Sequence, residues 1–400
     1  MRVLYVQYTN PGAYPPLVRG AQLLAEAGAE ILMLGTRILG TNALDAPSAN
    51  GVTVKLLAEA AGGWRLKAHY ARYAAWVARE ALSWTPDWIY ASDLFATPIA
   101  LGLANGQARV VYHEHDVPSA DHQTWFVRRC LDARRRLLRS AAVVVAPNAD
   151  RAARLSDLAG GRPVLTVWNC PRRPDHAPSA PRQPNEMRLI FRGSINNERL
   201  PLATIDALAR VDAGVSLDVA GYETIGSRGY LTTFADHAKR LGVAGRVRLL
   251  GAVSHADLAA VCEQCDVGLA LMPMTSRDEN MRHMVGASNK VFEYMASGVA
   301  PLVSNLPDWR RTFVDPGYAL ACDPSDVGSI ATALEWALAH RDAVRAIAER
   351  GRQRLQADWN YESQFAPVMD ALLGPSATTL ARVATRAPAR APIEEAECAS

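Results

Sequence analysis

Three short runs hold residue types whose spacing could do chemistry. The first is Val110-Val111-Tyr112-His113-Glu114-His115-Asp116, at the end of an apolar, β-prone stretch. Side chains alternate in extended backbone, so His113 and His115 share one face and Glu114 and Asp116 the other. A His-x-His pair can bind a metal. It can equally place a histidine beside a reacting centre, to donate a hydrogen bond or carry a proton near neutral pH. It can also be two histidines satisfied in a polar pocket. Val117 and Pro118 stand where a His-x-His-x-Asp-His hydrolase signature would continue.

The second run is Phe191-Arg192-Gly193-Ser194-Ile195-Asn196-Asn197-Glu198-Arg199. Gly193 allows close backbone approach. A helix starting just after it would offer free N–H groups to a phosphate, and Arg199 a fork of donors. An ordinary strand-to-helix turn with a solvated Arg is the plainer alternative. The third run is Gly286-Ala287-Ser288-Asn289-Lys290-Val291-Phe292-Glu293-Tyr294-Met295-Ala296-Ser297-Gly298. Ser288 is placed to cap a helix that Gly298 ends. Lys290 adds a full charge to the positive first turn, where a phosphate would sit. Glu293 lies four after Asn289, on the same face, where it can accept from sugar hydroxyls.

Two further signals carry less. Cys262-Glu263-Gln264-Cys265 has metal-ligand spacing, but no second Cys pair lies near it, and packing explains it more simply. The stretch from Trp125 to Arg139 carries Arg128, Arg129, Arg134, Arg135, Arg136 and Arg139, with Val127, Leu131 and Leu138 as an inward stripe. A solvated face is the default for it; binding of anionic lipid or a phosphorylated acceptor is the alternative. The dinucleotide fingerprint Gly-x-Gly-x-x-Gly is missing after the first strand, and Walker A is missing altogether.

The elements that must position these runs read as two α/β halves. Strands are predicted at Val3–Tyr8, Glu30–Gly35, Trp88–Ala91, Ala108–Tyr112 and Ala142–Ala146, with helices at Leu17–Ala27 and Ala68–Leu82. The rhythm restarts with strands at Met187–Arg192, Ser216–Ala220, Val247–Leu250, Val267–Leu271 and Pro301–Val303. A helical run over 330–355 breaks near His340. Short apolar runs alternating with helices indicate parallel sheets covered on both faces. The fold class is therefore α/β, two Rossmann-like doubly wound domains facing across a cleft: residues 1–170, a Pro-rich linker at 171–186, and residues 187–358. Ligands of such sheets bind beyond the carboxyl ends of strands, so the cleft is the natural site. Gly12, in the turn after the first strand, joins His113 and Asp116 as a further cleft candidate. A helix at 359–373 follows, and 374–400 reads as a mobile tail.

In order along the chain, these segments resemble family-4-type glycosyltransferases of the GT-B fold. The run from Asn289 to Gly298, followed by Pro301-Leu302-Val303, is similar to that family's donor-site helix. Pro86-Asp87-Trp88-Ile89-Tyr90-Ala91 and the His113–His115 run match its N-terminal domain. Val219-Ala220-Gly221, Val247-Arg248-Leu249-Leu250-Gly251 and Asp266-Val267-Gly268-Leu269 match its C-terminal domain, and Trp359-Asn360-Tyr361-Glu362 opens its returning last helix. The resemblance covers roughly residues 1 to 373. It implies transfer of a sugar from a nucleotide-sugar donor to an acceptor hydroxyl or amine, with retention and without a metal or other cofactor. The acceptor would be a small molecule, a glycan or a lipid-linked molecule.

His115 aligns with the family's active-site histidine. Arg199 aligns with one of the two cations that grip the pyrophosphate, and Ser194 replaces the other. Glu293 aligns with the second glutamate of the Glu-x7-Glu motif, which holds the ribose. Val285 stands where the first glutamate, which faces the donor sugar, would be. The backbone amides of Gly286, Ala287 and Ser288 are the candidates to replace it, with Gly193, Ser194 and Asn289 completing the donor side. His115, Arg199 and Lys290 are the expected catalytic groups. A nucleotide-sugar epimerase on a similar fold, or an inactive sugar-nucleotide-binding protein, would use the same residues.

Composition agrees. The 400 residues are 49% hydrophobic and 21% charged, and 43 Lys+Arg against 40 Asp+Glu leaves a net charge of +3. That is a globular balance, and it argues against nucleic acid as partner. Six Cys form no disulfide framework, so a reducing, cytoplasmic setting is expected, with peripheral contact at the inner membrane face through the Arg-rich helix at 125–139 as a further possibility. The opening apolar run breaks at Pro11, too short for a signal peptide, and no membrane span is expected.

Overall fold

The computed structural model describes residues 1–37, 49–59, 64–104, 108–118, 124–174, 186–253 and 255–374. Residues 175–185 of the proline-rich joint and 375–400 of the tail lie outside them. Strand β1 (Arg2–Val6) leads into α1 (Pro15–Glu26), β2 (Glu30–Thr36), β3 (Val52–Leu57), α2 (Trp64–Trp84), β4 (Trp88–Ser92) and α3 (Thr97–Leu103). Then come β5 (Arg109–His113), α4 (Trp125–Ser140), β6 (Val143–Ala146), α5 (Ala149–Leu158) and β7 (Leu165–Thr166). These strands form one parallel sheet in the order β3-β2-β1-β4-β5-β6-β7.

The second half holds β8 (Met187–Ile195), α6 (Ala203–Arg210), β9 (Val215–Glu223), α7 (Tyr230–Arg240), β10 (Val247–Gly251), α8 (His255–Glu263) and β11 (Val267–Ala270). It continues with α9 (Glu279–Arg282), α10 (Lys290–Ala296), β12 (Ala300–Ser304), α11 (Pro307–Trp309), β13 (Leu320–Cys322), α12 (Val327–Ala339), α13 (Arg341–Ala357) and α14 (Tyr361–Leu373). Its parallel sheet runs β10-β9-β8-β11-β12-β13. The strand order reverses between β1 and β4 in one sheet and between β8 and β11 in the other. Each reversal leaves a crevice beyond the carboxyl ends.

Both faces of each sheet are buried, which is why the central strands are continuous apolar runs. On the first sheet, Tyr73, Val77, Leu137 and Leu155 of α2, α4 and α5 cover one face. Leu17 and Leu24 of α1, with Tyr361, Phe365 and Val368 of α14, cover the other. The last helix of the chain therefore packs on the first sheet. Gly20 lies so close to Phe365 that an added Cβ would stand 2.9 Å from its ring. Helices α12 and α13 meet at His340, whose φ of −121° and ψ of 49° leave the helical region.

Three strands were not anticipated. Edge strand β3 reads Val-Thr-Val-Lys-Leu-Leu, half exposed along its length, so it lacks an apolar run. Strands β7 and β13 have two and three residues, below the length at which composition speaks. The arginine-rich α4 also sits differently. Its inward face is Cys130, Ala133, Arg134, Leu137 and Leu138, while Val127 and Leu131 are only half buried. Arg134 turns inward because Glu114, buried on β5's far side, takes both its Nε and its Nη2, the latter at 2.8 Å. Among the described residues no helix is long and apolar enough to cross a membrane.

Candidate active site

The loop after β5 carries the first cluster. Glu114 points away from the cleft, bound to Arg134 and to the Tyr112 hydroxyl at 2.6 Å. His113 and His115 share the opposite face, their ring centroids 3.9 Å apart. His113 is fully buried behind its neighbour, with Nδ1 2.7 Å from the Tyr90 hydroxyl. His115 lines the cleft, and neither of its ring nitrogens has a hydrogen-bond partner. Burial, with the Arg151 charge adding to it, lowers its pKa to about 3, so the imidazole is neutral near pH 7.

What holds this loop is Asp93, at the carboxyl end of β4, which the sequence reading passed over. Its φ of 60° and ψ of −178° place it in a region that L residues avoid. In exchange its carboxylate accepts from the backbone N–H of His115 at 2.7 Å. Arg151 grips the other side, donating to the His115 carbonyl at 2.6 Å, with Asp116 3.7 Å away. Asp116 is exposed at the mouth of the cleft.

The second cluster differs from expectation. Strand β8 runs on through Gly193 and Ser194 to Ile195, and the next helix starts only at Ala203. No helix N-terminus therefore adjoins Gly193, and Arg199 sits in the intervening turn. Its Nη1 donates to Ser194 Oγ at 2.8 Å, and its Nε is buried without a partner. Gly193 has φ +105°, and an added Cβ would stand 3.3 Å from Lys290 Cε. A side chain there would be strained and would crowd the lysine.

Lys290 is 8% exposed, and its Nζ donates no hydrogen bond. It stands 4.1 Å above the Phe191 ring centroid. Burial first, then repulsion from Arg199 and Arg192, pulls its pKa well below the lysine range, against the pull of Glu293. The N-cap of α10 is Asn289 rather than Ser288, and it makes no side-chain cap. Glu293 is held by two arginines the sequence reading did not select: Arg19 at 3.0 Å and Arg192 at 2.6 Å. Arg19 sits on the buried face of α1, the one detectable signal; Arg192 lay inside the second run.

The segment before α10 is stitched to the first domain. Asn280 exchanges hydrogen bonds with Val117 at 2.7 and 2.9 Å. Asn148 donates to the carbonyls of His283 and Val285, both at 2.9 Å. Asn169 N and Nδ2 donate to the carbonyls of Gly286 and Ala287, both at 2.7 Å. Gly286 (φ +77°) has Trp168 and the Pro147 carbonyl where a Cβ would go, so it belongs to the domain seam and not to the cavity wall. The amides of Ala287 and Ser288 already donate to the Met284 carbonyl, which removes them as sugar-binding groups. Val285 packs half-buried against the apolar cluster under α10, and Met284 takes the cavity-facing place.

These groups enclose an interdomain cavity of about 600 Å³. Thr9, Tyr14, His115 and Asp116 face it from the first domain; Gly193, Ser194, Arg199, Tyr222, Met284, Ala287, Ser288, Asn289, Lys290 and Glu293 face it from the second. His113 and Gly286 do not reach it. Gly12 lines a second cavity of about 490 Å³, which shares Arg192 and Glu293 with the first. Among the described residues no three His, Cys, Asp or Glu gather as a metal would need. Cys262 and Cys265 are both buried in the apolar cluster under α10, and burial lifts the Cys262 thiol to about 11.

The chain can now be set beside known proteins. A family profile described as glycosyl transferase-like matches residues 202–370. The glycogen synthase of Mycobacterium tuberculosis (strain H37Rv) is 24% identical over 91% of this chain and 92% of its own length. A GDP-mannose-dependent alpha-(1-6)-phosphatidylinositol monomannoside mannosyltransferase of the same organism is 29% identical over 40% of this chain and 41% of its own. Among solved structures, Anabaena HepE in complex with UDP and glucose superposes with a TM-score of 0.68 at 17% identity, covering 94% of this chain and 100% of that one. Sucrose-phosphate synthase of Thermosynechococcus elongatus gives 0.70 at 16% identity, covering 96% and 99%. The superpositions establish the fold, and the profile and the full-length sequence match carry the activity: the chain is a glycosyltransferase with the GT-B fold.

Proposed function

We propose that the chain moves a glycosyl group from a nucleotide-sugar to an acceptor hydroxyl or amine, with retention of anomeric configuration and without a metal. The observation that supports this is the buried Lys290, whose Nζ donates no hydrogen bond, with the half-buried Arg199, whose Nε lacks a partner, beside a cavity whose opposite wall carries His115. Breaking a glycosyl–phosphate bond builds negative charge on the leaving nucleotide. Donors already in place at that point, in a site shielded from water, stabilise it most. The acceptor oxygen bonds to the anomeric carbon as the bond to phosphate breaks, and the acceptor proton passes to a phosphate oxygen on the same face. His115, kept neutral, donates one hydrogen bond near the donor sugar. Glu293 takes the ribose, and the second cavity behind it takes the base. A thermal-shift screen across UDP-, GDP-, dTDP- and ADP-sugars tests this, since a ligand of the native state raises its melting point. At least one donor should stabilise the wild type, and Arg199→Ala and Glu293→Ala should each weaken that effect. Unchanged affinity in both variants would sink the assignment.

The acceptor side favours an anionic lipid surface at the inner membrane face. Helix α4 exposes Arg128, Arg129, Arg135, Arg136 and Arg139 in one stripe, against the single acid Asp132, and Trp125 at its start is 68% exposed. Each cation near such a surface contributes about 1 kcal/mol. Flotation should follow vesicles containing phosphatidylserine, not neutral ones, and Arg135→Glu with Arg136→Glu should abolish it. Absence of flotation with either vesicle returns α4 to a solvated face.

A further inference from the structure

One carboxylate stands where both cavities and both domains meet. Glu293 belongs to the second domain, yet its Oε1 accepts from Arg19 of α1, on the first sheet, at 3.0 Å. The other terminal nitrogen of Arg19 donates to the carbonyl of Cys170 at 2.8 Å, in the segment between the domains, where Cys170 is buried in the second domain's core. Gly20, next in the helix, lies against Phe365 of α14. Arg19 is thus carried by a helix packed on the first sheet, and its two terminal nitrogens reach across to Cys170 and to Glu293. Arg192 holds the other oxygen of Glu293 at 2.6 Å.

Stability explains this arrangement poorly. A buried ion pair returns little net free energy, because taking both charges out of water costs nearly as much as their attraction gives. What two arginines on one carboxylate do supply is orientation. An ionised carboxylate has about four acceptor sites, so two arginines can fix its plane while it still receives ribose hydroxyls. Because one of the two comes from the opposite domain, the orientation exists only while the domains are closed.

We propose that Arg19 is a positioning residue for donor binding: reaching from the first domain, it orients Glu293 for the ribose, so the nucleoside site is complete only in the closed arrangement. This rests on the donor reading above. Calorimetry with UDP, GDP, dTDP and ADP on the wild type, Arg19→Met, Glu293→Gln and the double variant tests it. Arg19→Met should weaken nucleotide binding roughly ten- to hundredfold, the scale of a hydrogen bond to a charged group. The same substitution on a Glu293→Gln background should add little, and donor KM should rise more than kcat falls. Arg19→Lys, which keeps the charge but not the fork, should recover part of the loss; it also serves if Arg19→Met does not fold. Wild-type affinity in Arg19→Met, or effects that add independently, overturns the proposal. A wild type that binds none of these nucleotides takes the donor reading down with it. Loss in Arg192→Met beside none in Arg19→Met removes Arg19 alone.

Discussion

The two rims of the cleft treat their charges in opposite ways. On the first domain the buried charges are largely matched: Glu114 with Arg134 and Tyr112, and the terminal nitrogens of Arg151 with two backbone carbonyls. On the second domain Lys290 is buried without a hydrogen bond; Arg151 and Arg199, one on each rim, each keep a bare Nε, so Lys290 carries the difference. A matched rim is scaffold, because its charges are satisfied before any ligand arrives. An unmatched buried cation is costly for the empty protein, and its natural partner is an anion from outside. The contrast separates residues that hold the site from residues that use it.

Three experiments bear on that contrast. The largest effect on folding should come from the matched rim. Arg134→Met leaves Glu114 buried without its partner and should cost about 3–5 kcal/mol of unfolding free energy, read by denaturant titration. A loss under 1 kcal/mol would mean that the pair is not scaffold. Lys290→Met should do the reverse: a melting point no lower than wild type, with kcat/KM down by about 10²–10³, the usual effect of deleting one preorganised donor. A lowered melting point with intact turnover would place Lys290 among the scaffold residues.

The smallest and sharpest effect is in pH. In the empty site Lys290 titrates below the ordinary lysine range. A pyrophosphate would restore its positive charge by raising that pKa. Binding should then take up a proton between the lowered and the restored value, and affinity should fall as pH rises through that window. Calorimetry in buffers of different ionisation enthalpy reads the uptake directly. No uptake, or uptake that persists in Lys290→Met, removes the lysine from the phosphate site.

Much of this was legible in the chain, and the exceptions have a common cause. The His113–His115 alternation, the break at His340 and the residues of α10 follow from local periodicity, which neighbouring residues set by themselves. The expected helix after Gly193 failed because β8 keeps pairing with β9 as far as Ile195, a preference written in the partner strand. The expected amides of Ala287 and Ser288 failed because they close a turn on Met284. Asp93 was missed because its backbone angle is imposed by the loop it supports, and nothing in Ser92-Asp93-Leu94 announces it.

The sequence alone determined the alternation of strands and helices, the two halves, and the supply of cations and histidines at strand ends. Each of these depends on burial periods and turn chemistry within a few residues. Only the tertiary structure decided which of those groups are satisfied. Glu293 meets Arg19 across 274 positions of chain, and Arg151 meets Asn280 across 129. Periodicity does not encode contacts between two separately wound sheets. They arise when the sheets close on each other, and that closure makes some charges scaffold and leaves others waiting for a ligand.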